Sequence, residues 1–285
     1  MISGSVSYSS ASVFKNDQNE KSEPEIKYGG TGFLVHETTK LGIVIPYLVT
    51  ARHVAERLDV DFVIRANLKD GGVEEIPLES TEWLYPEDPC IDIAVTPYTL
   101  LGQRYDHYYH PVTDIPPPQQ MVMCGDPVAI VGLFRLRFGS ARNFPIVHSG
   151  HVAALADRKE PIPSRNTSTD VLSPIVAHLV EVQTLDGLSG SPVFVQGFVH
   201  FPQYVLPTDK THPSAFGSSK LFGIYHGSWD GEPGTILAKD RDLGGNRNIR
   251  VPIGMGIVTP AEELITLIQN HPVLKKKRRE LHGRR

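Results

Sequence analysis

A chain of 285 residues and 31.5 kDa is long enough to bury one large core or two smaller ones unaided. Hydrophobic residues make up 40% of it and charged residues 21%, and its 25 Gly and 23 Pro follow no repeat, which excludes collagen-like and disordered classes and favours many turns between short strands. The best apolar run, Gly42 to Ala51, is interrupted by Pro46 and falls short of the roughly 18 residues of a membrane helix. No basic start followed by an apolar stretch opens the chain, and Cys90 and Cys124 are too few for a disulfide scaffold or a four-ligand zinc site. The expectation is a cytoplasmic protein in a reducing compartment. Its net charge of −4 hides an asymmetry: Lys275 to Arg285 carries seven Lys/Arg against one Glu, a local +6 that leaves −10 for the rest.

Residues 1 to 26 are rich in Ser, Asn, Glu and Lys and read as a flexible arm, with Val6 to Phe14 able to pair as an outer strand. From Tyr28 onward, runs of strand character follow one another between turn signals: Gly32 to His36, Ile43 to Thr50, Asp61 to Asn67, Val73 to Leu78 and Ile91 to Pro97. Their spacing predicts a closed antiparallel barrel over residues 27 to 112. Leu100 to Met123, with His107-Tyr-Tyr-His110 and three consecutive prolines from Pro116, reads as a surface connection. The pattern then resumes with Pro127 to Phe134, Phe144 to Val152, Ala177 to Thr184, Ser191 to Val195, Leu221 to His226 and Met255 to Val258. A second barrel over residues 113 to 270 follows. It ends in a helix for which Thr259 is the predicted N-cap, Pro260 the first helical residue and Glu262 the partner in a capping box. Leu264, Leu267 and Ile268 give that helix one apolar face, and residues 271 to 285 are left as a basic tail.

Three segments carry a candidate chemistry. In Leu48-Val-Thr-Ala-Arg-His53 an apolar strand leads into a turn that presents His53, and in Cys90-Ile-Asp-Ile-Ala-Val95 the residues Ile91, Ile93 and Val95 share one face while Asp92 takes the other. Asp92 can then receive the proton-bearing nitrogen of His53, fixing its tautomer. The third segment, Gly187-Leu-Ser-Gly-Ser-Pro-Val193, places a serine two residues after a glycine, where backbone N–H groups of Gly187 and Ser189 can face a developing oxyanion. The chain order His, Asp, Ser differs from subtilisin-like and α/β-hydrolase orders, and Ser191 replaces the second glycine of a nucleophile elbow. A histidine base must be neutral to act, so the rate of such an enzyme falls below about pH 6 to 7.

Together with Thr31-Gly-Phe-Leu-Val35, these segments resemble the trypsin/chymotrypsin-like serine peptidases, in particular the disulfide-poor bacterial type that includes glutamyl endopeptidases and the high-temperature-requirement proteases. The resemblance extends over Gly30 to Ile268. It implies an all-β fold of two antiparallel Greek-key barrels with a C-terminal α-helix, an active site between them, and a His53-Asp92-Ser189 triad acting through an acyl-enzyme. It also implies Gly187 and Ser189 as the oxyanion hole, and a substrate-binding pocket walled by Gln183 and Thr184, by His226, Gly227 and Ser228, and by Gly256. No carboxylate stands at Gln183 to pair with an Arg or Lys side chain of a substrate, and Thr184 with a nearby histidine points to cleavage after Glu or Gln, although Tyr225 occupies the position expected for that histidine. Leu188 stands where animal digestive members carry an aspartate, which removes activation by trimming and leaves the oxyanion loop to be ordered by substrate or by an activating protein partner.

A protein or peptide substrate is the expected partner, with no metal or organic cofactor and no membrane. Contact of the basic tail with nucleic acid is the lesser expectation, because the tail has no aromatic residue to stack on bases. The alternative reading is a catalytically silent or partner-gated protease-fold module that binds an extended peptide.

Overall fold

The computed structural model describes residues 10–17, 25–58, 61–79, 83–98, 104–114, 122–135, 139, 141–165, 172–183, 187–196, 219–231 and 251–283. Strands β1 (Ser10–Asp17), β2 (Glu25–Thr38), β3 (Val44–Thr50), β4 (Asp61–Asn67), β5 (Val73–Glu79) and β6 (Ala94–Pro97) form one antiparallel sheet in the order β5-β4-β1-β2-β3-β6. The short β7 (His110–Pro111) adds to β2 in parallel, and a one-turn helix α1 (Arg52–Ala55) follows β3. In the second half β8 (Pro127–Leu133), β9 (Pro145–Ala154), β12 (His178–Glu181), β13 (Pro192–Gln196), β14 (Ser219–Gly231) and β15 (Val251–Pro260) close into a six-stranded barrel. A hairpin of β10 (Ile162–Arg165) and β11 (Leu172–Ile175) stands outside it, and helices α2 (Ala261–Asn270) and α3 (Pro272–Gly283) end the chain.

The fold is all-β, and among the described residues its α-helices are confined to the C-terminal end apart from α1. Among the described residues the first sheet follows an open path, whereas the second barrel is fully paired around. Alternation explains how the first sheet divides the interior. Phe33, Val35, Tyr47 and Val49 enter one cluster with Ile91, Ile93 and Val95, while their neighbours Leu34 and Leu48 enter a separate one with Phe62 and Ile64. Because both faces are covered there, Phe33-Leu-Val35 of β2 and Tyr47-Leu-Val49 of β3 are continuous buried apolar runs and not a half-exposed alternation.

Three expectations are corrected. The N-terminal arm does not supply an outer strand: β1 lies in the middle of the first sheet, paired on one side with β2 and on the other with β4, so two strand edges that would otherwise be bare are satisfied. The capping box at Thr259 does not form. Thr259 instead remains in β15, opposite Ile224 and fully buried, and the strand runs into α2 through Pro260 without a side-chain cap. The basic tail is the helix α3, seated on the body by the buried Leu274 and by Arg278, which pairs with Glu37 of β2 at 2.9 Å and donates to the carbonyls of Ile268 and Gln269. Those carbonyls are the unsatisfied C-terminal ends of α2, so the guanidinium caps one helix while fixing the next.

The described part of the connection, residues 104–114, likewise reaches the core. Tyr105 bridges to Leu68, β7 pairs with β2, and His110 is buried against the Phe194 ring at 4.8 Å. A second link between the halves is polar: Arg65 of β4 donates to Asn143 Oδ1 (3.0 Å) and to the Gly139 carbonyl (2.6 Å), and Asn67 and Asn143 exchange hydrogen bonds of 2.7 and 3.0 Å.

If α3 is a docked element, Leu274→Ala should cost about 2–5 kcal/mol and Lys276→Ala should stay within about 0.5 kcal/mol. Urea unfolding midpoints of the two variants against the parent chain measure this.

Candidate active site

His53 owes its position to the abrupt end of β3. Thr50 is buried, Ala51 is still extended, and a single helical turn follows in which the N–H groups of Val54 and Ala55 return to the Ala51 carbonyl at 3.1 Å. Val54 and Ala55 are pulled into the interior, which leaves the His53 ring at the mouth of the sheet, 20% exposed. Asp92 lies in the extended segment just ahead of β6. Ile91 and Ile93 enter the core, so the residue between them faces the opposite way, and it is itself only 7% exposed. The two residues meet twice: Asp92 Oδ1 accepts the His53 backbone N–H at 2.9 Å, and Oδ2 lies 2.9 Å from His53 Nδ1. An ionised carboxylate accepts only, so the ring proton sits on Nδ1 and Nε2 is left as a base facing the cleft.

Ser189 sits at the tip of a tight turn between Gly187 and Gly190, whose φ angles are +99° and +86°. A side chain at position 190 would place its Cβ 2.1 Å from the Thr31 carbonyl and 2.3 Å from Thr50 Oγ1, so only glycine fits there. The turn is held from both sides. Thr31 donates its N–H to the Ser189 carbonyl (2.9 Å) and its hydroxyl to the Gly187 carbonyl (3.1 Å), and that hydroxyl also accepts the Leu133 N–H. From the second barrel, the Gly190 N–H reaches the Tyr225 carbonyl at 2.8 Å, while the Leu188 side chain, 1% exposed, is embedded in the barrel core beside Gly132. Leu188 thus anchors the loop by burial, where a hydrogen-bonding residue is absent.

His226 is the residue whose place the sequence does not convey. Along β14 the register passes from Tyr225 opposite Val258 directly to Gly227 opposite Ile257, so His226 is the extra residue of a β-bulge. Tyr225 therefore points into the barrel core, and His226 turns to the cleft. Its Nδ1 lies 2.5 Å from Asp92 Oδ2, its ring stands edge-on to that of His53 at 4.8 Å, and its backbone carbonyl accepts the Ser189 hydroxyl at 2.9 Å. His226 thus links the nucleophile candidate to Asp92. In the sequence it had only the signal of a histidine on the pocket strand.

Of the other predicted site residues, Gln183 is exposed just after β12, Thr184 lies outside the described residues, and Gly227 and Ser228 continue β14 beside the cleft. Gly256 is paired with Ser228 and Val180, and a Cβ there would lie 2.8 Å from Tyr225 Cε2 and 3.0 Å from the side chains of Val180 and Val182. His107 and His110 each meet a tyrosine of the same run edge-on, Tyr109 and Tyr108. Their role is packing.

Neither a protein-family model nor any curated protein matches the chain. Solved structures do. The MamO protease domain from Magnetospirillum magneticum aligns over 90% of this chain and 94% of its own, with 14% identity and a TM-score of 0.49. The Rv3671c protease of M. tuberculosis in its active form aligns over 93% and 82%, with 12% identity and a TM-score of 0.48. The HtrA-type protease AlgW with a decapeptide aligns over 92% and 64%, with 14% identity and a TM-score of 0.47. Its fold neighbours are protease domains.

Burial alone pushes the Asp92 carboxyl up, but the charges of His53 and His226 and their hydrogen bonds outweigh it and hold Asp92 well below the usual carboxylate range. A carboxylate depressed in the folded state contributes stability that is present above its unfolded value of about 3.9 and is lost as pH falls through the folded one. The stability advantage of the parent chain over Asp92→Asn should therefore be full at pH 6 and shrink below about pH 4, as read from urea midpoints across that range.

Proposed function

We propose that the chain is a serine endopeptidase in which His53, Asp92 and Ser189 act together. The observation that carries this reading is the paired hydrogen bond from His53 to the buried Asp92, which fixes the ring and leaves Nε2 basic, next to His226, whose carbonyl accepts the Ser189 hydroxyl. At rest the Ser189 hydroxyl proton is donated to the His226 carbonyl. An extended substrate adds to β14 near Ile224 to Ser228, and its backbone N–H competes for that carbonyl. The displaced hydroxyl then turns to His53 Nε2, which takes its proton as Oγ attacks the scissile carbonyl. The N–H groups of Gly187 and Ser189 stabilise the oxyanion, and Asp92 stabilises the imidazolium. His53 passes the proton to the leaving amine, and water repeats the sequence on the acyl-enzyme.

The side chain preceding the cleaved bond is small in this reading. By the family resemblance Gly256 forms a pocket wall, and the space over it is taken by Tyr225, Val180 and Val182. The tyrosine stands where a glutamate-binding histidine was looked for, which favours Gly, Ala or Ser over Glu or Gln at that substrate position.

Labelling with a fluorophosphonate probe tests the nucleophile. Wild type should carry one adduct located by mass spectrometry at Ser189, Ser189→Ala should carry none, and His53→Ala should label slower by roughly 10³-fold or more. An unlabelled Ser189 in the folded wild type overturns the peptidase reading and leaves the silent peptide-binding module.

A peptide library tests the pocket: substrates with Gly, Ala or Ser before the cleaved bond should be preferred, and Tyr225→Val should shift preference to larger side chains by about 10–100-fold in kcat/KM ratio.

A further inference from the structure

A triad needs one histidine on its carboxylate, and this chain places two there. Asp92 Oδ2 lies 2.9 Å from His53 Nδ1 and 2.5 Å from His226 Nδ1, and one ligand atom from each of the three residues lies within 4.8 Å of the other two. Two imidazoles and one carboxylate are a ligand set suited to Zn²⁺ and its neighbours in the first transition row. The second imidazole is delivered by a β-bulge, a feature that the strand pairing does not require and that re-aims a side chain. Zn–N and Zn–O bonds of about 2.0–2.2 Å set tetrahedral ligands about 3.3 Å apart, so the three atoms, now between 2.5 and 4.8 Å from one another, must shift by on the order of 1 Å to admit an ion. Both rings remain about one-fifth exposed, His53 at 20% and His226 at 19%, which leaves an approach from the cleft.

We propose that Asp92, His53 and His226 bind a divalent transition cation of the Zn²⁺ type, and that its binding switches the nucleophile off. The second clause rests on the peptidase reading; the first does not. For a cation to sit among these atoms, each Nδ1 must offer its lone pair, so the ring proton of each neutral imidazole moves to Nε2 and no net proton is lost. His53 Nε2 is then an N–H donor and can no longer accept the proton of Ser189. The cation also replaces the hydrogen bond through which Asp92 stabilises the imidazolium. The backbone groups assigned to substrate, the N–H groups of Gly187 and Ser189 and the His226 carbonyl, are not ligands; on β14 only the His226 ring is.

The test uses the untagged full chain as wild type, Ser189→Ala, His226→Gln and His53→Gln, each checked for native circular dichroism. Zn²⁺ binding is measured by calorimetry and the ligand field by Co²⁺ absorption, and fluorophosphonate labelling is timed in Zn²⁺ and in chelator. Wild type and Ser189→Ala should bind Zn²⁺ equally, and each histidine variant at least about tenfold more weakly. Wild-type labelling should slow in proportion to occupancy and recover on chelation. Wild type that binds no Zn²⁺ below about 1 mM, or affinity unchanged in both histidine variants, overturns the site. Full labelling at saturating Zn²⁺ overturns the switch. If wild type is unlabelled even in chelator, the peptidase reading and the switch both fall, and the Ser189→Ala titration still decides the cation site.

Discussion

Thr31 is the residue on which the two halves of the molecule agree. Its backbone N–H and its hydroxyl hold the carbonyls of Ser189 and Gly187, and its own carbonyl accepts the Thr50 hydroxyl three residues before His53. A buried threonine with its polar groups spoken for costs little, whereas the same residue unpaired would carry a desolvation penalty of about 1–3 kcal/mol. The turn that carries Ser189 is therefore bound to the strand that leads to His53 by groups that lose their partners if either moves. This explains why Gly190 must lack a side chain: any Cβ would occupy the place of the Thr31 carbonyl. The Arg65–Asn143 pair adds a second polar tie between the halves.

Asp92 plays the corresponding part for the charged groups. A lone buried carboxylate would be expelled from the interior or protonated. Here its oxygens receive one backbone N–H and two imidazoles, and the balance of burial against those partners favours the ionised form. One carboxylate thus sets the orientation of two rings, and one of those rings belongs to the strand whose carbonyl holds the Ser189 hydroxyl. The residues of the site are connected through shared acceptors and not only through mutual contact.

Much of this site is legible in the sequence because it depends on local patterns. Ile91, Ile93 and Val95 fill one core face, so Asp92 must face away from it, and this holds although β6 itself begins only at Ala94. The glycines of Gly187-Leu-Ser-Gly190 mark a turn that other residues cannot adopt, and both have the positive φ that the motif requires. The elements misread are those whose local signals compete with longer-range ones. Thr259 and Pro260 have the chemistry of a helix start, but pairing with β14 keeps the chain extended through both. The lysines and arginines of the last residues look solvated, yet Leu274 and Arg278 lie one turn apart and seat the helix on the body.

What the sequence by itself determines is the order of most strands and turns and the choice of His53, Asp92 and Ser189 as candidates, because alternation, glycine and a residue's immediate neighbours act within a few positions of the chain. Only the tertiary structure decides that His226 belongs to Asp92. A bulge is a mismatch between two strands, so it is absent from either strand read alone, and a slip of one residue exchanges which of Tyr225 and His226 enters the core and which enters the cleft. The same holds for β1, whose polar sequence becomes an inner strand only because β2 and β4 present two edges that need pairing.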